Sequence, residues 1–265
     1  MKAKDKRNNL KEFLFPLWYS LISNLDKNAE VRFMNYGYSS PDLEIDLDDK
    51  HRENRYPIQL YHQIAAKVEM RGKDICEVGC GRGGGLAYLM ERFNPGSAVG
   101  VDLNPVAVKF CNSHYNLPGL SFIRANAENL PFEDNSMDII INVESSHRYA
   151  NMPGFLGEVR RVLRPGGKFL LTDFRHKHRM AHLKESIAES GLAQLIEEFI
   201  THKVVRALED DDRRRRILVK RVMPWFLHKT AYNFAAVRGT PTYNSFVDQR
   251  MLYFNYVMEK NQNAV

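Results

Sequence analysis

Only three cysteines, Cys76, Cys80 and Cys111, occur in 265 residues, and their odd number and lack of CxxC spacing exclude a disulfide framework and a cysteine zinc site. A reducing compartment follows, with the cytoplasm as the expected location. Long apolar runs are missing too. The longest, Phe13 to Ile22, is interrupted by Pro16 and Ser20 and falls short of the ~20 residues a membrane-spanning helix needs. The basic opening, MKAKDKRNNLKEF, leads to no small-residue cleavage site, so no secretory signal is expected. A strong excess of either charge is also absent: 38 Lys and Arg against 32 Asp and Glu leave +6, which permits an acidic partner without requiring one. With 44% hydrophobic residues, no repeat and no low-complexity tract, the chain reads as an ordinary globular protein.

Residues 10–25, LKEFLFPLWYSLISNL, have partly helical apolar spacing, and 32–55 are polar and turn-rich. Residues 1–56 therefore read as an N-terminal helical extension and lid, and 57–265 as the main domain. Pro57 suits a first helical turn, with Ile58, Tyr61, Ile64, Ala65 and Val68 recurring at helical spacing. Strand candidates at 74–78, 98–102, 120–124, 137–143 and 168–174 then alternate with helices at 84–92, 105–115 and 153–162, the last closed by a turn at Arg164 to Gly167. Beyond 175 the pattern reads as helical until a final strand at 251–259, and the insertion at about 205–245 reads as a helical cap. This alternation predicts a doubly wound α/β fold, its sheet mostly parallel, with ligands at the carboxyl ends of the strands.

EVGCGRGGG, residues 77–85, carries five glycines straight after an apolar strand. Such a loop lets main chain approach a ligand closely with N–H groups free; a glycine-rich turn without a ligand is the bland alternative. Gly79, Gly81 and Gly84 also satisfy the dinucleotide pattern G-x-G-x-x-G, and Asp102, closing the next strand, suits a ribose diol of NAD or of S-adenosylmethionine alike. A third segment, ANAENLPFEDNSMDIIINVESSH, separates the two: a polar loop precedes a hydrophobic strand ending in Asn142 and Glu144.

With EVGCGRGGG, GVDLN, AENLPF and LRPGGKFL in this order over residues 57–175, the chain resembles a class I S-adenosylmethionine-dependent methyltransferase. FMNYGY, NRYPIQLYHQIA, NVESSHRY and MLYFNY narrow the likeness to the phthiotriol and phenolphthiotriol dimycocerosate methyltransferases and related polyketide O-methyltransferases. The resemblance implies a seven-stranded Rossmann-like sheet and S-adenosylmethionine as cofactor. It also implies Glu77, Gly79 and Gly81 near the methionine portion, Asp102 on the ribose, Leu103 beside the adenine, Ala127 and Glu128 at the base edge, and Asn142 lining the methionine end. Asn126 stands where the family usually has aspartate, and its amide oxygen can still accept a hydrogen bond. Tyr36 and Tyr38 are expected either to fold over the cofactor or to be exposed turn residues.

The expected activity is O-methylation of a hydroxyl on a bulky lipophilic natural product, a polyketide or polyketide-derived lipid. A carbon or nitrogen methyltransferase of an isoprenoid or alkaloid is the alternative, with an RNA methyltransferase behind it. A hydroxyl acceptor needs a general base, and His147, just past the Asn142 strand, is the candidate beside a purely structural histidine. His176 and His178 are reserves. With His182 they lack a completing carboxylate, so no metal is expected. EDDDRRRR, 209–216, reads as a solvated helix face with Asp210–Arg214, Asp211–Arg215 and Asp212–Arg216 spaced i, i+4. PWFLHKTAYNFAAV, 224–237, is either a greasy acceptor pocket or ordinary core, and FLFPLWYSLI either packs on the body or rests on a membrane surface. The expected partner is a small lipophilic acceptor rather than nucleic acid.

Overall fold

The computed structural model describes residues 25–26 and 29–262; the expected helix over 10–25, with its FLFPLWYSLI stretch, lies outside the described residues but for Leu25. Two helices, α1 (Asp49–Arg52) and α2 (Arg55–Ala65), lead into the sheet. Then β1 (Asp74–Val78), α3 (Gly84–Phe93), β2 (Ser97–Asp102), α4 (Pro105–His114), β3 (Leu120–Arg124), β4 (Met137–Val143), α5 (Met152–Val162) and β5 (Leu163–His176) follow. Turn chemistry sets the helix starts. Asn104 caps α4 by accepting from the Val106 N–H, and Asn151 caps α5 by accepting from the Gly154 N–H, with a proline in each first turn.

The second half comprises α6 (Met180–Glu189), β6 (Leu192–Phe199), α7 (Thr201–Asp210), α8 (Asp212–Val222), α9 (His228–Phe234), α10 (Pro241–Val247) and β7 (Met251–Lys260). The sheet order is β3-β2-β1-β4-β5-β7-β6. Strands β1 to β5 pair in parallel and β7 is antiparallel to both neighbours, the mostly parallel seven-stranded architecture expected. Alternate residues feed two cores: Ile139, Ile141 and Val143 of β4 pack on one face, and Ile140 on the other. The chain reverses direction across the sheet between β1 and β4, which opens a crevice at their carboxyl ends.

Three local expectations are corrected. LAQLIEEF forms β6 rather than a helix; a register shift between Gln194 and Ile196 breaks the period-two signal and leaves Leu195 half exposed. The expected turn at Arg164 to Gly167 is absorbed within β5. Met137 pairs with Leu163 and Ile139 with Lys168, so the extra residues bulge out, with Gly166 at φ +80°. The acidic and basic run is a solvated face only in part: the Asp211–Arg215 and Asp212–Arg216 pairs form at 3.1 and 2.7 Å, but the helix breaks at Asp211, Arg214 pairs with Asp211 instead of Asp210, and Asp211 and Arg215 are both buried.

Candidate active site

The carboxyl ends of β1, β2 and β4 each finish in, or next to, an acid, Glu77, Asp102 and Glu144, and β5 carries Asp173 three residues before its end. The glycine loop after β1 is folded against its surroundings. At Gly79, φ is +79° and a Cβ would overlap the Ser145 hydroxyl, so neither the conformation nor the space admits a side chain. Four of its N–H groups are already engaged. Gly79 and Cys80 donate to Val101 O at 2.7 and 3.0 Å, Gly81 to Asp102 Oδ2 at 2.8 Å and Gly83 to Cys80 O at 2.9 Å. The expectation of free loop amides is thus corrected, and with it falls the reading as a pyrophosphate cradle, which needs such donors.

Two carboxylates face the loop differently. Asp102 accepts from Gly81 N through one oxygen and from Asn104 N through the other, both at 2.8 Å, and retains further lone pairs. Glu77 is wholly buried; its Oε1 accepts from the Tyr61 hydroxyl at 2.6 Å, whereas its Oε2 has no partner. Burial pushes its carboxyl up to about 8, with Tyr61 opposing and Asp102 reinforcing the rise. A buried acid with one unsatisfied oxygen is costly unless a cation completes it.

Asp26 and residues 29–37 form a strap over this loop. Arg82, in the middle of the glycine run, donates from Nε to Val31 O at 3.1 Å and from its terminal nitrogen to Asp26 Oδ2 at 2.7 Å, a fully buried ion pair. A Cβ on Gly84 would meet Arg32 O at 2.5 Å, so the strap lies directly on the loop. Tyr36 closes it: its N–H donates to Glu144 Oε1 at 2.5 Å, and Arg215 donates to the carbonyls of Asn35 at 3.3 Å and Tyr36 at 2.9 Å. The same Glu144 oxygen accepts from the Tyr253 hydroxyl at 2.5 Å. Glu144 holds a left-handed φ of +48°, a strained conformation of the kind found at functional sites, and burial lifts its carboxyl to about 8.

His147 sits in the short turn after β4. Its Nδ1 lies 2.8 Å from Asp173 Oδ1, its N–H donates to Asp173 Oδ2 at 2.9 Å, and its Nε2 accepts from Arg148 Nε at 3.0 Å. This pattern places the proton on Nδ1 and the lone pair on Nε2. Burial holds the imidazole below its ordinary 6.5, with Asp173 opposing; Asp173 stays far below the usual carboxylate range because His147, Arg175 and Ser146 outweigh its burial. Phe174 lies 4.3 Å from the His147 ring and 5.5 Å from Tyr36. On the far side of Tyr36 a cavity of about 100 Å³ runs among Phe33, Met34, Val219, Val222, Met223 and Phe234.

Comparison with known proteins gives the family. Residues 76–171 match a family model described as a methyltransferase domain. The chain is 41% identical over 224 residues to a phthiotriol/phenolphthiotriol dimycocerosates methyltransferase of Mycobacterium leprae, covering 84% of this chain and 83% of that one. The chain belongs to this methyltransferase family. It is also 41% identical to a fatty-acid O-methyltransferase of Mycolicibacterium smegmatis, over 84% and 81% of the two chains. Among solved structures, a geranyl diphosphate C-methyltransferase of Streptomyces coelicolor A3(2), in complex with S-adenosyl-L-homocysteine, shares the fold at TM-score 0.64 and 16% identity over 89% and 92% of the two chains.

In this methyltransferase the unpaired Glu77 oxygen, the loop that admits no Cβ and the Asp102 carboxylate fit the chemistry of S-adenosylmethionine, the cofactor of the family, which carries an ammonium and a ribose diol. Gly81 underlies the strap, a Cβ there meeting Met34 at 2.8 Å. Leu103 is 63% exposed at the loop's rim. Asn126 turns its Oδ1 onto the Glu128 N–H at 3.0 Å, Ala127 is buried, and Glu128 accepts from Asn151 N at 3.0 Å. Asn142 is fully committed, donating to Val78 O at 2.8 Å and Tyr149 OH at 3.0 Å and accepting from Ser146 N at 3.1 Å; it braces the turn carrying His147. Tyr38 instead packs beneath Lys203, 5.3 Å from its Nζ. His176 and His178 stack on each other at 5.5 Å, and His182 is exposed beside Glu185.

Sequence reasoning gave Arg82 and Asp173 no role, read Tyr61 only as a helix-face residue, and read Arg215 only as the partner of Asp211, a pair that forms at 3.1 Å. Asp173 was within reach of it, since it stands near the end of an expected apolar strand as Glu77 and Asp102 do; the bonds of Tyr61 to Glu77 and of Arg215 to the strap were not, because their partners lie 16 and about 180 positions away. Asp102→Ala is expected to weaken S-adenosylhomocysteine binding by about 1–3 kcal/mol by leaving hydroxyl and amide partners unsatisfied. Calorimetric titration of the variant checks this, and unchanged affinity would remove Asp102 from the ribose site.

Proposed function

We propose that the protein transfers a methyl group from S-adenosylmethionine to a hydroxyl of a bulky lipophilic acceptor, a polyketide or polyketide-derived lipid. The observation carrying this reading is the His147–Asp173 pair, with the rings of Phe174 and Tyr36 leading from it to an apolar cavity. The names of the two mycobacterial relatives, one acting on phthiotriol compounds and one on fatty acids, point to the same acceptor class.

S-adenosylmethionine, when bound, supplies a carbon activated by its sulfonium. The chain positions both partners and excludes water. Glu77 Oε2 takes the ammonium, Asp102 the ribose hydroxyls, and Leu103, Asn126, Ala127 and Glu128 border the adenine. The strap, with Tyr36 at its end, closes over them. The acceptor hydroxyl displaces Arg148 from His147 Nε2 and gives that nitrogen its proton as the new C–O bond forms and the methyl–sulfur bond breaks, its electron pair leaving with the neutral thioether, while Asp173 fixes the tautomer and stabilises the resulting imidazolium.

Because His147 is held below 6.5, it is the free base at neutral pH; activity on an alcohol should be level there and fall as acid protonates it. A chain-length series of primary alcohols tests the lipophilic claim: kcat/KM should rise with added methylenes until the cavity is filled. A rate indifferent to chain length would contradict it.

A further inference from the structure

The cap carries a feature that methyl transfer does not use. Trp225 and Phe226, in the short turn between α8 and α9, are 82% and 66% exposed, their rings set edge to face at 6.0 Å, whereas Leu227 of the same turn packs into the cap. The sequence left this stretch as pocket lining or core, and for these two residues neither holds. Isolated exposed apolar residues are ordinary, but adjacent bare aromatics are not. Their surroundings are basic. Between 212 and 229 stand seven Lys and Arg against Asp212 alone; Arg214, Arg215 and Arg216 pair with Asp211 and Asp212, and Arg221 with Glu30 of the strap at 2.7 Å, while Lys220 and Lys229 are exposed around the turn. Helix α8 is two-faced: Val219, Val222 and Met223 wall the apolar cavity, while Lys220, Arg221 and the half-exposed Ile217 look outward.

We propose that this turn and its basic collar dock the enzyme on an anionic lipid bilayer, Trp225 and Phe226 entering the interfacial layer and Lys220 and Lys229 meeting anionic headgroups. Amphipathic aromatics are favoured at that depth, and each surface cation adds to the attraction within a Debye length. The cavity and the aromatic turn share the same two helices, so a docked molecule would draw a lipophilic acceptor from the membrane rather than from water. That last step rests on the proposed acceptor class; the docking itself does not.

Sedimentation of the full chain with phosphatidylcholine vesicles and with equimolar phosphatidylcholine–phosphatidylglycerol vesicles tests the docking. Binding is expected to the anionic vesicles only and to weaken with salt. W225A/F226A should reduce partitioning about tenfold and K220E/K229E at least as much, with S-adenosylhomocysteine affinity unchanged in both. In a W18F variant Trp225 is the sole indole, and its emission should shift to the blue on vesicles. Vesicle binding untouched by W225A/F226A, no vesicle binding, or a dimer of the free protein that dissociates in W225A/F226A would each overturn the proposal. Loss of S-adenosylhomocysteine binding in the parent protein would instead count against the cofactor reading.

Discussion

His147→Ala is expected to lower turnover of an alcohol acceptor by about 10²–10⁴-fold, the usual worth of a positioned general base, while leaving S-adenosylhomocysteine affinity intact. The reason is geometric. His147 meets Asp173 through Nδ1 and its own N–H, so its remaining nitrogen is the one aimed outward, and none of its bonds reaches the glycine loop. The acceptor decides the size of the loss. A carboxylate has already shed its proton, so methyl ester formation needs no base, and the same variant should keep most of its rate on a fatty acid. Parallel rates on an alcohol and on a carboxylate of equal chain length separate these cases. Equal losses on both would make His147 a structural residue; no loss on either would dispense with a side-chain base.

Glu77→Gln is expected to cost about 2–5 kcal/mol of cofactor affinity, the range found when one side of a buried charge pair is removed, which is roughly thirtyfold or more in Kd. The same substitution should not harm the unliganded fold. The native carboxyl titrates at about 8 against an ordinary 4.5. Between those values the unfolded chain has released its proton and the native one has not, so native stability falls as pH rises through this window and levels above it. Glutamine, with no charge to desolvate, escapes the fall and should leave the free protein more stable than the parent at pH 8. Glu144, also raised to about 8, contributes a slope of the same sign and remains in the variant. Cofactor affinity in the parent should rise toward pH 8 as Glu77 ionises and be flat in the variant. Thermal unfolding and calorimetry at several pH values test both halves; a variant that loses stability while keeping affinity would place Glu77 in the scaffold alone.

Much of the sheet was legible because its central strands β1 and β4 are buried almost throughout and so read as short apolar runs; the expected strands at 120–124 and 137–143 match β3 and β4 to the residue. The loop was legible because five glycines in nine positions have few other uses. What escaped were features whose cause is distant in sequence. Strand β6 is an exposed edge held by β7, about 60 residues on, and its bulge hides the alternation. Arg215 looks like one of four surface arginines until the fold brings Asn35, Tyr36 and Ala235 against it. Tyr36 could be suspected as a lid residue, but its clamp between Glu144 and Arg215 needed the tertiary structure. The cap was least readable, since one aromatic stretch supplies the cavity wall at Phe234 and the bare surface at Trp225.

The central claim is the fate of the methyl group. Incubation with methyl-labelled S-adenosylmethionine and a long-chain hydroxylated lipid, followed by mass spectrometry of the product, reads it directly. The account predicts label in a methyl ether on the acceptor oxygen, formed by the parent protein and lost in His147→Ala. Label on carbon or nitrogen, or no transfer by protein that S-adenosylhomocysteine saturates, would contradict it.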